Sequence, residues 1–230
     1  MGEGLQTIVR VRLAHQFEDR VSTQSVVREK FGSPPLENGD RMSRIEFARR
    51  YSASPEDFRA ELVEGVVFVG GPVPFDTHAE PHGAMAAWLG IYRARTDGVR
   101  AGISATVRLD LDNEPQPDSI LMRIDGGSAR LVDGYIEGPP ELVVEISAST
   151  VSIDMNQKLH AYRRNGVQEY IVWRVFDGAI DWFSLEEGEY VALAADPNGV
   201  VSSKVFPGLR LNVQAMLDGD MEAVLAELRR

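Results

Sequence analysis

Apolar positions along the chain change period several times, and each change marks a predicted element. TIVRVRL (7–13) alternates as a short strand. SRIE (43–46) has the form of a capping box, and Ile45, Phe47, Ala48 and Tyr51 follow at near-helical spacing. SPED (54–57) repeats the start signal, so one or two short helices are expected here. ELVEGVVFVGGP (61–72) reads as two extended pieces with a tight turn at Glu64-Gly65. GAMAAWLGIYRARTDG (83–98) predicts a helix with Met85, Trp88, Leu89 and Tyr92 on its apolar face. Extended segments follow at ATVRLDL (105–111), DSILMRI (118–124) and ELVVEIS (141–147). SIDMNQKLHAYRRNG (152–166) is a helix closed by Gly166. QEYIVWRV (168–175) is a strand that FDGA (176–179) turns back into IDWFSL (180–185). Short strands and FPGL (206–209) then lead to an amphipathic helix in VQAMLDGDMEAVLAELRR.

This order of elements predicts an α/β (α+β) fold, a mixed β-sheet core flanked by helices with extra β-hairpins. The strand–helix–strand unit at 141–175 calls for parallel or mixed pairing. SPPLENGD (33–40) is turn-rich. The expected division is therefore an N-terminal arm and linker at 1–40, one domain at 41–217, and a C-terminal helix at 218–230. That helix would pack on the domain or on a dimer partner.

Composition narrows the chemistry. The 230 residues suffice for one good core. There is no cysteine, which excludes disulfides, thiolate metal sites and cysteine nucleophiles. No apolar stretch approaches the ~20 residues that span a bilayer, so no membrane association is expected. MGEGLQTIVRVRLAHQFEDR shows no apolar signal core, so a cytoplasmic protein is the expectation. The formal net charge of −11 repels nucleic acid at long range. A homodimer with a shared positive cleft would offset that repulsion.

One residue breaks the pattern. Glu145 lies among Leu142, Val143, Val144 and Ile146, where an ionised carboxylate is costly unless paired. Its partner is either a structural Arg or Lys or a metal ion. Asp118, which follows Pro117 at the start of an extended run, converges on Glu145 if the two strands are neighbours. Two carboxylates with open positions are a usual way to hold Mg²⁺. Lys158, in the following helix, can reach the same point and stabilise developing negative charge. The plainer alternatives are that Asp118 caps a turn, and that Lys158 and Asp154 form an i,i+4 pair on a solvated helix face.

Other candidates are His78 and His82 in HAEPH, four residues apart but without the H-E-x-x-H order of a zinc protease. Pro81 keeps them out of a helix interior, except in the first turn. Trp173, Trp182 and Phe183 suit sheet packing rather than base stacking. Arg163 and Arg164 suit a helix C-terminus and also a DNA-facing patch.

The order Pro117-Asp118, Glu145 in PELVVEIS (140–147), then a helix with Lys158, resembles the PD-(D/E)XK nuclease superfamily. More closely, the chain resembles its Uma-two-type branch of restriction-endonuclease-like proteins. AELVEG (60–65), the His-bearing segment before the 83–96 helix, PQPD (115–118), DMNQKLHAYRRNGVQEYIVWRV (154–175) and GEYV…FPGL (188–209) share in this resemblance. Together the matching pieces span roughly residues 41–217. The resemblance implies a Mg²⁺-dependent endonuclease, with Mn²⁺ as substitute, that cleaves DNA phosphodiester bonds. It implies Asp118 and Glu145 as metal ligands, Lys158 as the assisting cation, Glu61 as a further acid near the site, and His82 or His78 as an accessory acid-base or phosphate contact. Gln157 is a weaker candidate. The sequence departs from the superfamily at Ser147, where the pattern has lysine, and Lys158 is the natural substitute. Two rivals remain: an inactive nuclease-fold binding or assembly protein, and a zinc hydrolase using His78 and His82.

Overall fold

The structure, a computed structural model, describes residues 32–228. The TIVRVRL strand and most of the 1–40 arm lie outside them. The first helix, α1 (Arg44–Tyr51), and the hairpin β1 (Ala60–Val63)–β2 (Val66–Val69) enclose a small core of Leu36, Phe47, Ala60, Leu62 and Val67. The hairpin turns at Glu64 and Gly65, both with positive φ. The capping box at Ser43 does not form. Glu46 is held instead by Arg49 and Arg50, at 2.7 to 2.8 Å. SPED makes only a turn, because the chain must enter β1 at Ala60 and has no room for a second helix.

Beyond the hairpin, a wide turn with π-type geometry at Phe75–Ala79 leads into α2 (Glu80–Ala94). The strands that follow are β3 (Val99–Ile103), β4 (Val107–Arg108), β5 (Ser119–Arg123), β6 (Arg130–Val132), β7 (Tyr135–Glu137) and β8 (Leu142–Ser147). A second wide turn, Ile153–Lys158, runs into α3 (Leu159–Asn165), then β9 (Glu169–Arg174), β10 (Ala179–Glu186) and β11 (Glu189–Ala192). The main sheet has the order β11-β10-β9-β8-β5-β3. Only β8 and β9 run parallel within it, joined through α3, so the sheet is mixed. The β3 strand was not apparent in the sequence. It is an edge strand with Arg100 and Gly102 in it, and an edge needs no strict apolar alternation.

All six residues of β8 are buried, as expected of a central strand covered on both faces. Alternation divides them. Leu142, Val144 and Ile146 join Met85, Trp88, Leu89 and Tyr92 of α2. Val143 joins Tyr162 of α3, Tyr170 and Val172 on the opposite face. Glu145 and Ser147 share that second face. Trp173 and Trp182 pack in the first core and Phe183 against the second, so the aromatics do serve packing.

The C-terminal segment is β12 (Val200–Ser202), β13 (Arg210–Asn212), α4 (Val213–Leu217) and α5 (Met221–Glu227). The single helix expected here is two. Gly219 takes a positive φ, and Asp220 restarts the helix by accepting a hydrogen bond from the Ala223 N–H at 3.0 Å. The α5 helix buries Val224 in the first core. Among the described residues, no helix is long and apolar enough to cross a membrane.

Candidate functional site

The register of β5 and β8 pairs Ser119 with Val144. One step further along it lies Asp118 opposite Glu145, and residues opposite one another on antiparallel strands share a face. The Ile146 N–H fixes Asp118 by donating to its Oδ2 at 2.6 Å. The sequence-derived pair of carboxylates is therefore brought to one face of the sheet.

Lys158 meets them from the second wide turn. Its Nζ lies 3.0 Å from Glu145 Oε1, 2.9 Å from Glu61 Oε1 and 3.6 Å from Asp154 Oδ1. Glu61, on β1, also accepts from the Gln116 N–H at 3.1 Å, which ties the small hairpin to the PQPD segment. The Tyr162 hydroxyl donates to Glu145 Oε1 at 2.7 Å. Asp154 accepts from the Ser147 hydroxyl and from Thr150 Oγ1. Asp154 and Lys158 are thus not a solvated pair. Both are buried, because the wide turn directs this stretch inward.

Thr150 and Tyr162, which no sequence pattern singled out, belong to this cluster, and so does Asp154, which in sequence stood only as half of an i,i+4 pair. Ser147, where the superfamily pattern has lysine, holds Asp154 instead. The signal present was the SAST run four to seven residues ahead of Asp154, a spacing suited to hydroxyl–carboxylate bonds.

Three carboxylates thus gather around one ammonium in a largely dehydrated space, and Asp118 adds its charge on the Glu145 side. Burial pushes the Glu145 carboxyl well up, Lys158 pulls it down, and Asp154, Asp118 and Glu61 raise it again. For Lys158, burial alone would favour the neutral amine. Glu145, Glu61 and Asp154 outweigh it and keep the ammonium charged. Burial raises Tyr162 well above the ordinary phenol range, with Glu145 adding to it, so its hydroxyl stays a donor.

Asp118 has a second set of neighbours. His78 Nε2 lies 3.1 Å from its Oδ1, and His82 Nδ1 lies 3.9 Å from the same oxygen. Burial would raise Asp118, but His78, the Ile146 N–H and His82 hold it below the usual carboxylate range. His78 is raised, chiefly by its hydrogen bond to Asp118. His82 Nε2 lies 2.6 Å from the Asp118 carbonyl oxygen, which also accepts from the Ser104 N–H.

Of the remaining candidates, Gln157, Arg163 and Arg164 line a separate open pocket with Glu64, His160 and Gly188. Its arginines are already paired: Arg163 with Glu189, and Arg164 with Glu64 and Asp110 at 2.9 and 3.1 Å. They are not a bare basic patch.

The carboxylates fit a divalent cation. Two lie opposite each other on one face, and the local excess of negative charge over the single ammonium is what such an ion offsets.

The profile of the Uma2 family, described as "Putative restriction endonuclease", matches residues 45–214. The chain belongs to the Uma2 family. The Uma2 match takes in every residue of the carboxylate–lysine cluster and both histidines. Similarity in fold extends to the crystal structure of a putative nuclease belonging to DUF820 from Anabaena variabilis ATCC 29413. Its TM-score is 0.58 at 14% identity, over 74% of this chain and 96% of that one. No curated protein matches this Uma2-family chain at a significant level.

Proposed function

We propose that this chain is a divalent-metal-dependent endonuclease that hydrolyses phosphodiester bonds in DNA. Asp118 and Glu145 would hold Mg²⁺, or Mn²⁺ in its place. When bound, such an ion polarises a phosphoryl oxygen and lowers the pKa of a bound water. The observation that carries the reading is the placement of Asp118 opposite Glu145 with the Lys158 ammonium 3.0 Å from Glu145.

The chain's own residues then have distinct tasks. Tyr162 fixes the Glu145 carboxylate by its hydroxyl, and the Ile146 N–H fixes Asp118. Lys158 is held between Glu61 and Glu145, so its charge stands where the negative charge of an attacked phosphate would develop. Glu61 holds the same ammonium from β1. Asp154, anchored by Ser147 and Thr150, does the same from the helix side.

The test is calorimetric titration of Mg²⁺ and Mn²⁺ into wild type, Asp118→Ala and Glu145→Ala. Binding by wild type and its loss in both variants is expected, followed by metal-dependent nicking of plasmid DNA that ethylenediaminetetraacetate abolishes. Absence of binding at millimolar metal, with DNA present or not, would favour a nuclease fold used for assembly alone.

A further inference from the structure

The wide turn before α2 and the first turn of α2 place His78 and His82 four residues apart, on the side facing the start of β5. Asp118 meets both. One donor atom from each of His78, His82 and Asp118 lies within 4.8 Å of the other two. Metal–nitrogen and metal–oxygen bonds of about 2.0 to 2.2 Å separate two ligand atoms on one ion by about 3 to 4 Å. The observed 3.1 and 3.9 Å distances fall in that range.

The hydrogen bonding already prepares the ring of His82. Its Nε2 faces the Asp118 carbonyl oxygen at 2.6 Å, and a carbonyl only accepts. Nε2 therefore carries a proton, which leaves Nδ1, the nitrogen facing Asp118 Oδ1, as the one open to a metal ion. A backbone carbonyl fixing the tautomer of a ligating imidazole is the usual outer partner at metal sites. The two oxygens of Asp118 also divide. Oδ2 takes the Ile146 N–H, while Oδ1 faces the histidines. Access differs as well. The side chains of His78, His82 and Asp118 are 25, 17 and 15% exposed, against 5% for Glu145, so an ion reaches this trio from solvent.

We propose that His78, His82 and Asp118 Oδ1 form a second cation site beside the carboxylate site, selective for first-row transition metals over Mg²⁺. Two imidazoles and one carboxylate suit Mn²⁺, Co²⁺ or Zn²⁺, whereas all-oxygen sets suit Mg²⁺. The inference rests on the nuclease reading for the neighbouring Asp118–Glu145 site, with Asp118 serving both. It gives the histidines a role as ligands rather than proton carriers.

The experiment titrates Co²⁺, followed by its visible absorption, and Mg²⁺, followed by calorimetry. The proteins are wild type, His78→Gln, His82→Gln, Glu145→Gln and, as a control, His160→Gln. Either site substitution should weaken Co²⁺ by more than about tenfold, the lower end of what losing even an outer partner does. Mg²⁺ binding should then match wild type. Glu145→Gln should show the reverse pattern, and His160→Gln should leave both unchanged. Pulsed electron paramagnetic resonance of Mn²⁺-loaded wild type with ¹⁵N-labelled histidine should show coupling to histidine nitrogen, and needs no substitution. Unchanged Co²⁺ affinity in both histidine variants, with no such coupling, would overturn the inference. If Mg²⁺ binding still depended on Glu145 in that case, the nuclease reading would stand alone. If wild type bound neither ion, both would fall.

Discussion

Lys158 shows how much one side chain can carry. It sits within 3.0 Å of two carboxylates and near a third, all drawn from different elements. Removing one partner of a buried ion pair leaves an uncompensated charge, and that usually costs about 3 to 5 kcal/mol. Lys158→Ala is therefore expected to lower the stability of the metal-free protein by about that amount in urea denaturation. On the proposed reading, added Mn²⁺ should restore part of the loss, a cation at Asp118 and Glu145 taking over the role of the ammonium. A loss below 1 kcal/mol would mean that the carboxylates are solvated and the cluster is not the tight assembly described.

At the scale of elements, α1 illustrates a local prediction. Glu46 does not cap its helix. Arg49 holds its carboxyl down chiefly by hydrogen bonding, against a smaller upward push from burial, and Arg50 adds to the effect. The carboxyl falls from 4.5 to about 2. A depressed acid stabilises the fold above its ordinary value, and that contribution fades as pH drops through the folded one. The stability gap between wild type and Glu46→Gln should be full above pH 4.5 and close as pH falls toward about 2. Acid titration followed by circular dichroism measures it, and a gap constant across that window would contradict the pairing.

On the scale of the whole molecule, all three tryptophans, Trp88, Trp173 and Trp182, lie in one core. Their emission should report the same unfolding midpoint as far-ultraviolet circular dichroism, as a single cooperative unit requires. Separate midpoints would show the small β1–β2 hairpin core melting apart from the sheet. The sheet and its parallel pair were legible in sequence because PELVVEIS and QEYIVWRV are apolar runs flanking a capped helix. Glu145 was legible because it interrupts such a run, and Lys158 because it lies on the helix that follows. The β3 edge was not, since Arg100 and Gly102 dilute its pattern. Nor was the contact of His78 with Asp118, forty residues apart, for which local periodicity has no signature. Asp154 was misplaced on a solvated face because an i,i+4 pair looks alike whichever way its turn is directed.

Both helices that reach the site begin in a widened turn, Phe75–Ala79 for His78 and Ile153–Lys158 for Asp154 and Lys158. A turn of this type holds one residue more than an ordinary one. Dropping that residue would swing whatever precedes it by about 100° around the helix axis. Spacing along the chain is thereby coupled to chemistry. A single-residue deletion in either stretch would displace the site's side chains in one step. The lengths of the His78–His82 and Asp154–Lys158 stretches would then serve as a record, readable from genomes alone, of which descendants still use their acids and which have kept only the shape.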